Sequence, residues 1–142
     1  ATLLEDEITT YNLGNSRAYR FRDGVLLQLT KDQTKVQQLY DMGLISENQI
    51  YSHPEKNIIS GYVGCDGFDS KRIDVITHRE RFRRNDMLML CSDGVSDYIN
   101  IDEIENALIM DGELSKKADA IIDKIYSNGA GDNISLILVN RL

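Results

Sequence analysis

The sequence has no tryptophan, a single proline (Pro54) and only two cysteines among its 142 residues. Cys65 and Cys91 have neither a CxxC spacing nor a neighbouring histidine, which argues against a disulfide scaffold or a zinc site and for free thiols in a reducing compartment. Long apolar runs are also missing. None approaches the roughly 20 residues that span a bilayer, and Ala1 to Thr10 carry no basic-then-apolar signal pattern. A soluble, cytoplasmic chain without a membrane partner is expected. Basic residues are in deficit, with 16 Lys and Arg against 23 Asp and Glu and a net charge of −7. Such a balance leaves no broad basic face, so no nucleic-acid partner is expected. Low-complexity tracts, repeats and Pro/Ser linkers are absent, so the chain reads as one unit. Its 42% hydrophobic content can build a real core.

Leu3-Leu4, Glu7 to Leu13, Arg17 to Phe21 and Val25 to Thr30 read as short strands. Turn chemistry joins them at Glu5-Asp6, Gly14-Asn15-Ser16 and Arg22-Asp23-Gly24, which predicts an antiparallel meander. Thr34 with Gln37, and Ser46 with Gln49, are start signals for helices that Gly43 and His53-Pro54 should end. Thr34 to Asn57 is therefore expected to be a helical insertion. Strands are expected again at Ile58 to Val63 and Arg72 to His78. Asp86 to Cys91 and Asn133 to Val139 are apolar on both faces, the pattern of strands covered on both sides. Between them lie a helix capped by Asn100 with Glu103 and a second, amphipathic helix from Glu113 to Tyr126. The sum is an α+β sandwich of stacked sheets with helices outside.

Chemistry has few carriers. Four Asp-Gly pairs occur, and most such pairs are turns. Asp23-Gly24 fits a hairpin, Asp111-Gly112 separates two helices, and Asp66-Gly67 sits in an irregular loop. Asp93-Gly94 differs, because it ends an apolar strand and brings a carboxylate to the rim of the core, where it needs a cation or hydrogen bonds. Asp132-Asn133 enters the other apolar strand. If the two strands are antiparallel neighbours, both aspartates can face one point. Carboxylates without nearby His or Cys suit a hard ion such as Mg²⁺ or Mn²⁺. The alternative is structural, with Asp93 capping a short helix from Val95 to Ile99 and Asp132 making a turn. His53 and His78 lie in unlike contexts, and no nucleophile elbow, zincin or nucleotide-loop motif occurs. Arg79 to Arg84, with four arginines, reads as a solvated turn before a strand, or as a phosphopeptide contact.

In order along the chain, Asn12-Leu13-Gly14-Asn15-Ser16-Arg17-Ala18-Tyr19, Gln28-Leu29-Thr30-Lys31-Asp32, Leu90-Cys91-Ser92-Asp93-Gly94-Val95-Ser96-Asp97 and Gly131-Asp132-Asn133-Ile134-Ser135 resemble the motifs N-V-G-D-S-R-A-Y, Q-L-T-x-D-H, L-x-S-D-G-[LV]-x-D and D-N-[IV]-[ST]. These are motifs of the bacterial type 2C (PPM) metal-dependent serine/threonine protein phosphatases. The resemblance implies a four-layer αββα sandwich of two antiparallel sheets flanked by helices, with Thr34 to Asn57 similar to the family's flap subdomain. It implies hydrolysis of phosphoserine or phosphothreonine by water activated between two Mn²⁺ or Mg²⁺ ions. By the same resemblance Asp93 and Asp132 are ligands of one ion, and Asp97 helps hold a weaker third. Phosphoproteins, and a cognate serine/threonine kinase, are the implied partners.

Three departures matter. Asn15 stands where the family has an acidic ligand of the third ion, and Ser60-Gly61-Tyr62-Val63-Gly64 replaces T-R-A-L-G after the flap. No D-G-x-G-G occurs, and no phosphate-binding Arg aligns. The chain is therefore expected to be the C-terminal portion of a phosphatase domain. Alone it should be inactive, have an incomplete two-metal centre, and tend to self-associate through exposed sheet edges. The alternative is a non-catalytic phosphatase-like module that binds or regulates a phosphoprotein.

Overall fold

The computed structural model describes residues 1–63 and 75–141. Cys65, Asp66-Gly67 and the first part of the strand expected at Arg72 to His78 lie outside the described residues. Two antiparallel sheets are stacked. One has the order β1-β2-β5, from Thr2–Leu4, Glu7–Asn12 and Ile76–Arg81. The other has the order β4-β3-β6-β7, from Val25–Gln28, Arg17–Arg22, Met87–Cys91 and Leu136–Asn140. The β3–β4 hairpin turns at Asp23 and Gly24, both with positive φ (51° and 84°), the backbone that an Asp-Gly hairpin turn supplies.

Period-two side-chain alternation assigns each strand of the larger sheet two tasks. Tyr19, Phe21, Met87, Met89 and Cys91 face outward onto α4 (Ile101–Ile109) and α5 (Leu114–Ser127), where they meet Ile104, Leu108, Ile121 and Ile125. Ala18 and Leu88 face inward and pack with Ile8, Leu29 and Phe82. Burying an Ile or Leu of this kind contributes about 1.5–3 kcal/mol before entropic costs. Arg20 Nη1 bonds Glu80 Oε2 at 2.9 Å, joining β3 to β5. The α4 cap is as expected: Asn100 Oδ1 accepts from the Glu103 N–H, and Glu103 Oε2 accepts from the Asn100 N–H. At its other end Lys117 of α5 donates to the Leu108 carbonyl at 2.6 Å.

Two short helices, α1 (Lys35–Asp41) and α2 (Glu47–Ser52), form the insertion. Thr34 Oγ1 caps α1 by accepting the Gln37 N–H, and Gly43, with φ +71°, follows its end. The base of the insertion is stitched by Lys35 N–H to Ile58 O and Ser60 N–H to Gln33 O, and buried Val36 anchors it.

Three sequence expectations need correction. The strand expected at Ile58 to Val63 reduces to a single bridge between Thr34 and Ile59. Ile58, Tyr62 and Val63 are exposed, because this stretch only closes the base of the insertion. Arg79-Glu80-Arg81 is not a turn but the second half of β5, paired with β2 in the register Glu7↔Arg81. Its alternation explains this: Glu80 points inward to Arg20, while Arg79 projects outward and bonds Glu7 at 2.6 Å. The last strand is only partly covered: Leu136 and Leu138 pack toward the helices and Val139 toward the inner cluster, but among the described residues it pairs with a strand on one edge alone. It begins at Leu136 rather than Asn133, lies at the edge of its sheet, and leaves Ile137 57% exposed.

Candidate metal centre

The strand pairing that the site requires is present. β6 and β7 are antiparallel neighbours with Cys91 opposite Leu136, so the exit of one strand lies beside the entry of the other. Beyond the ladder the two loops stay joined. Ser92 N–H donates to Ser135 O at 3.1 Å, and Ser92 Oγ accepts from the Ser135 N–H at 3.1 Å. Gly94 makes the approach possible, since a Cβ there would stand 2.2 Å from the Asn133 carbonyl oxygen. Asp93 and Asp132 thus rise from two clasped loops.

Each aspartate also makes a local bond. Asp93 Oδ1 accepts from the Gly94 N–H at 3.0 Å and Asp132 Oδ1 from the Asn133 N–H at 2.7 Å. The structural alternative for Asp93 nevertheless needs correction, because the cap of α3 (Asp93–Ser96) is Ser92 and Asp93 is the first helical residue. Its second oxygen is taken by the β2–β3 turn: Asn15 Nδ2 donates to Asp93 Oδ2 at 2.9 Å. Asp97, one turn on, faces the insertion, where Lys56 Nζ lies 3.3 Å from Asp97 Oδ2. Asn15, Asp93, Ser96 and Asp97 share a polar pocket of about 90 Å³ with Lys56 and Asp32. Asp132 is exposed and does not line it.

Arg17 and Asp32 also line the pocket and pair with each other. Arg17 donates through Nε and Nη2 to the Asp32 carboxylate at 3.0 and 2.7 Å, and through Nη1 to Tyr19 Oη at 3.1 Å. Burial works to lower the Arg17 pKa, but the hydrogen bond to Asp32 and the nearby charges outweigh it, so the guanidinium stays charged. Burial pushes the Tyr19 hydroxyl up to about 12, against the opposing pull of Arg17. These two residues, with Asp32, are structural parts of the site carried by recognisable motif segments. Lys56 had no signal in the sequence, standing 41 positions from the acid it meets.

Among the described residues no three His, Cys, Asp or Glu side chains converge closely enough to hold a metal ion. The described donors therefore do not by themselves fit a divalent centre that takes about six oxygens.

No family model matches the chain. It is 37% identical over 141 residues to the serine/threonine phosphatase stp of Listeria monocytogenes, a match covering 99% of this chain and 54% of that protein. Its fold superposes on the serine/threonine phosphatase of S. agalactiae with a TM-score of 0.91 at 27% identity, covering 99% of this chain and 56% of that one. The chain belongs to the type 2C (PPM) serine/threonine phosphatase family. It spans about half the length of the curated phosphatases named stp that it matches. A further structure, the catalytic domain of the serine/threonine protein phosphatase PstP in complex with 2 manganese ions, superposes with a TM-score of 0.80 at 29% identity, covering 96% of this chain and 54% of that one. Two antiparallel sheets flanked by helices are thus both the PPM architecture and the one observed here.

Proposed function

We propose that this chain is the C-terminal portion of a PPM-type catalytic domain, and that the whole protein hydrolyses phosphoserine or phosphothreonine on proteins, the products of a cognate serine/threonine kinase. The observation that carries the reading is the clasp between the Ser92–Gly94 and Asn133–Ser135 segments, which sets Asp93 and Asp132 on adjoining loops. Mn²⁺ or Mg²⁺, when bound, would supply an activated water and neutralise charge on the phosphoryl group. Asp93 and Asp132 are its proposed ligands from this chain, and the remaining ligands come from residues outside it. Asn15 fixes the Asp93 carboxylate, while Arg17 and Asp32 pair with each other in the pocket lining. A cytoplasmic setting accords with the free, buried Cys91 thiol. Among the described residues no helix is long and apolar enough to cross a membrane.

The test compares the 142-residue chain with a polypeptide extended upstream, using p-nitrophenyl phosphate and a phosphothreonine peptide with Mn²⁺. The chain alone should be inert and the extended protein active. Asp93→Ala and Asp132→Ala should each lower the activity of the extended protein by at least about 100-fold. A folded but inactive extended protein would support the second reading, a non-catalytic phosphatase-like module. That reading draws on Asn15, whose amide occupies an Asp93 oxygen where the family motif has an acid.

A further inference from the structure

The carboxylates around the polar pocket are already compensated from within the chain. Asp32 is matched by the Arg17 guanidinium at 2.7 Å. Asp93 is satisfied by two N–H donors, from Asn15 and Gly94. Asp97 is matched by Lys56 at 3.3 Å. That ammonium comes from the far side of the pocket, at the end of the insertion, where the Lys56 N–H is pinned to His53 O. Tyr51, Lys56 and Asn57 from the insertion line one wall, and Asn15, Ser96 and Asp97 the other. Lys56 and Asp97 join the two walls directly.

We propose that Lys56 is the resident cation of this edge: its ammonium satisfies Asp97 in place of a divalent ion and latches the flap onto the loop that carries Asp93. The inference rests on the metal-centre reading only in placing Asp97 beside that centre. Its physical basis is mutual exclusion. A divalent ion on Asp97 would sit about 2.0–2.6 Å from the carboxylate oxygen. The ammonium already holds that oxygen from within ion-pair distance, and two cations so close repel strongly in a partly enclosed pocket. Asn15 sharpens the exclusion, because a neutral amide adds no charge to attract a second cation. The coupling is reciprocal, so whatever removes the ammonium favours an ion at Asp97, and an ion there frees the flap.

The test uses the 142-residue chain with Lys56→Gln, Lys56→Arg and the double variant Lys56→Gln/Asp97→Asn. Hydrogen exchange of residues 35–52 reads the latch, and free Mn²⁺ measured by electron paramagnetic resonance reads ion uptake. Lys56→Gln should speed flap exchange about two- to five-fold, the scale of a partly exposed ion pair. It should also add Mn²⁺ uptake that the double variant loses, while Lys56→Arg stays like the wild type in both readouts. Flap exchange or Mn²⁺ uptake unchanged by Lys56→Gln overturns the inference. Uptake that is equal in wild type and Lys56→Gln, and is abolished in both by Asp93→Ala, overturns it while leaving the metal-centre reading standing. No uptake by either protein also overturns the inference, while the metal-centre reading, which places further ligands outside this chain, falls only if Asp93→Ala and Asp132→Ala leave the extended protein fully active.

Discussion

Asp86 is 1% exposed and still ionised, because Arg22 donates to both of its oxygens at 2.8 and 2.6 Å and the Arg83 N–H adds a third bond. Burial alone would raise its pKa. The hydrogen bonds and the guanidinium charge prevail and hold it below its ordinary 3.8. A lowered folded-state pKa means that this stabilisation is full above the unfolded value and is lost as the pH falls below about 4. Urea midpoints should therefore be level between pH 5 and 7 and drop on the acid side. Asp86→Asn should cost about 3 kcal/mol at pH 7, the scale of a broken buried pair, and should flatten the acid limb. Gly94 gives a second residue-scale prediction. Gly94→Ala must push Asn133 away, so it should lower stability by about 1–3 kcal/mol in the same titration. Residues of this kind were legible where they belong to a short motif: Asn15, Arg17, Asp93 and Asn133 all lie in segments whose spacing could be read. Lys56 was not legible, because its partner is set by how the insertion folds back.

Among the elements, helix ends were the most readable, because caps are local chemistry. Asn100 with Glu103, Thr34 with Gln37 and the stop at His53-Pro54 all sit where their side chains or rings dictate. Removing the first of these with Asn100→Ala should cost about 1 kcal/mol, measured as a loss of helical circular dichroism and a lower thermal midpoint. Strands were less readable, because their partners decide them. Arg79 to Arg81 looks solvated in sequence and is drawn into β5 by the facing β2 and by Arg20. Asn133 to Val139 looks central from its composition, yet β7 has a strand on one side only among the described residues. Ile58 to Val63 has the apolar content of a strand and no continuous ladder to join.

At the scale of the molecule, that open edge adjoins a cleft of about 460 Å³ between the sheets, lined in part by Tyr11, Leu90, Leu136 and Ile137. Thr10 Oγ1 and Asn12 Oδ1 are buried at the cleft without hydrogen-bond partners, an unfavourable arrangement that added chain could relieve. With Leu4 69% and Tyr11 57% exposed as well, the 142-residue chain should self-associate, and sedimentation velocity should show species larger than a monomer. Ile137→Lys, which charges the edge, should shift that distribution toward monomer. A wild-type chain that sediments only as monomer would contradict the expectation. Cys91 borders the same cleft at 6% exposure, and burial pushes its thiol up to about 11. Its side chain packs under α4 and α5, where it is shielded and protonated at pH 8, so iodoacetamide can reach a reactive thiolate only when the helices lift from the sheet. The alkylation rate of the Cys91 peptide is therefore a built-in clock for how often the helix layer opens.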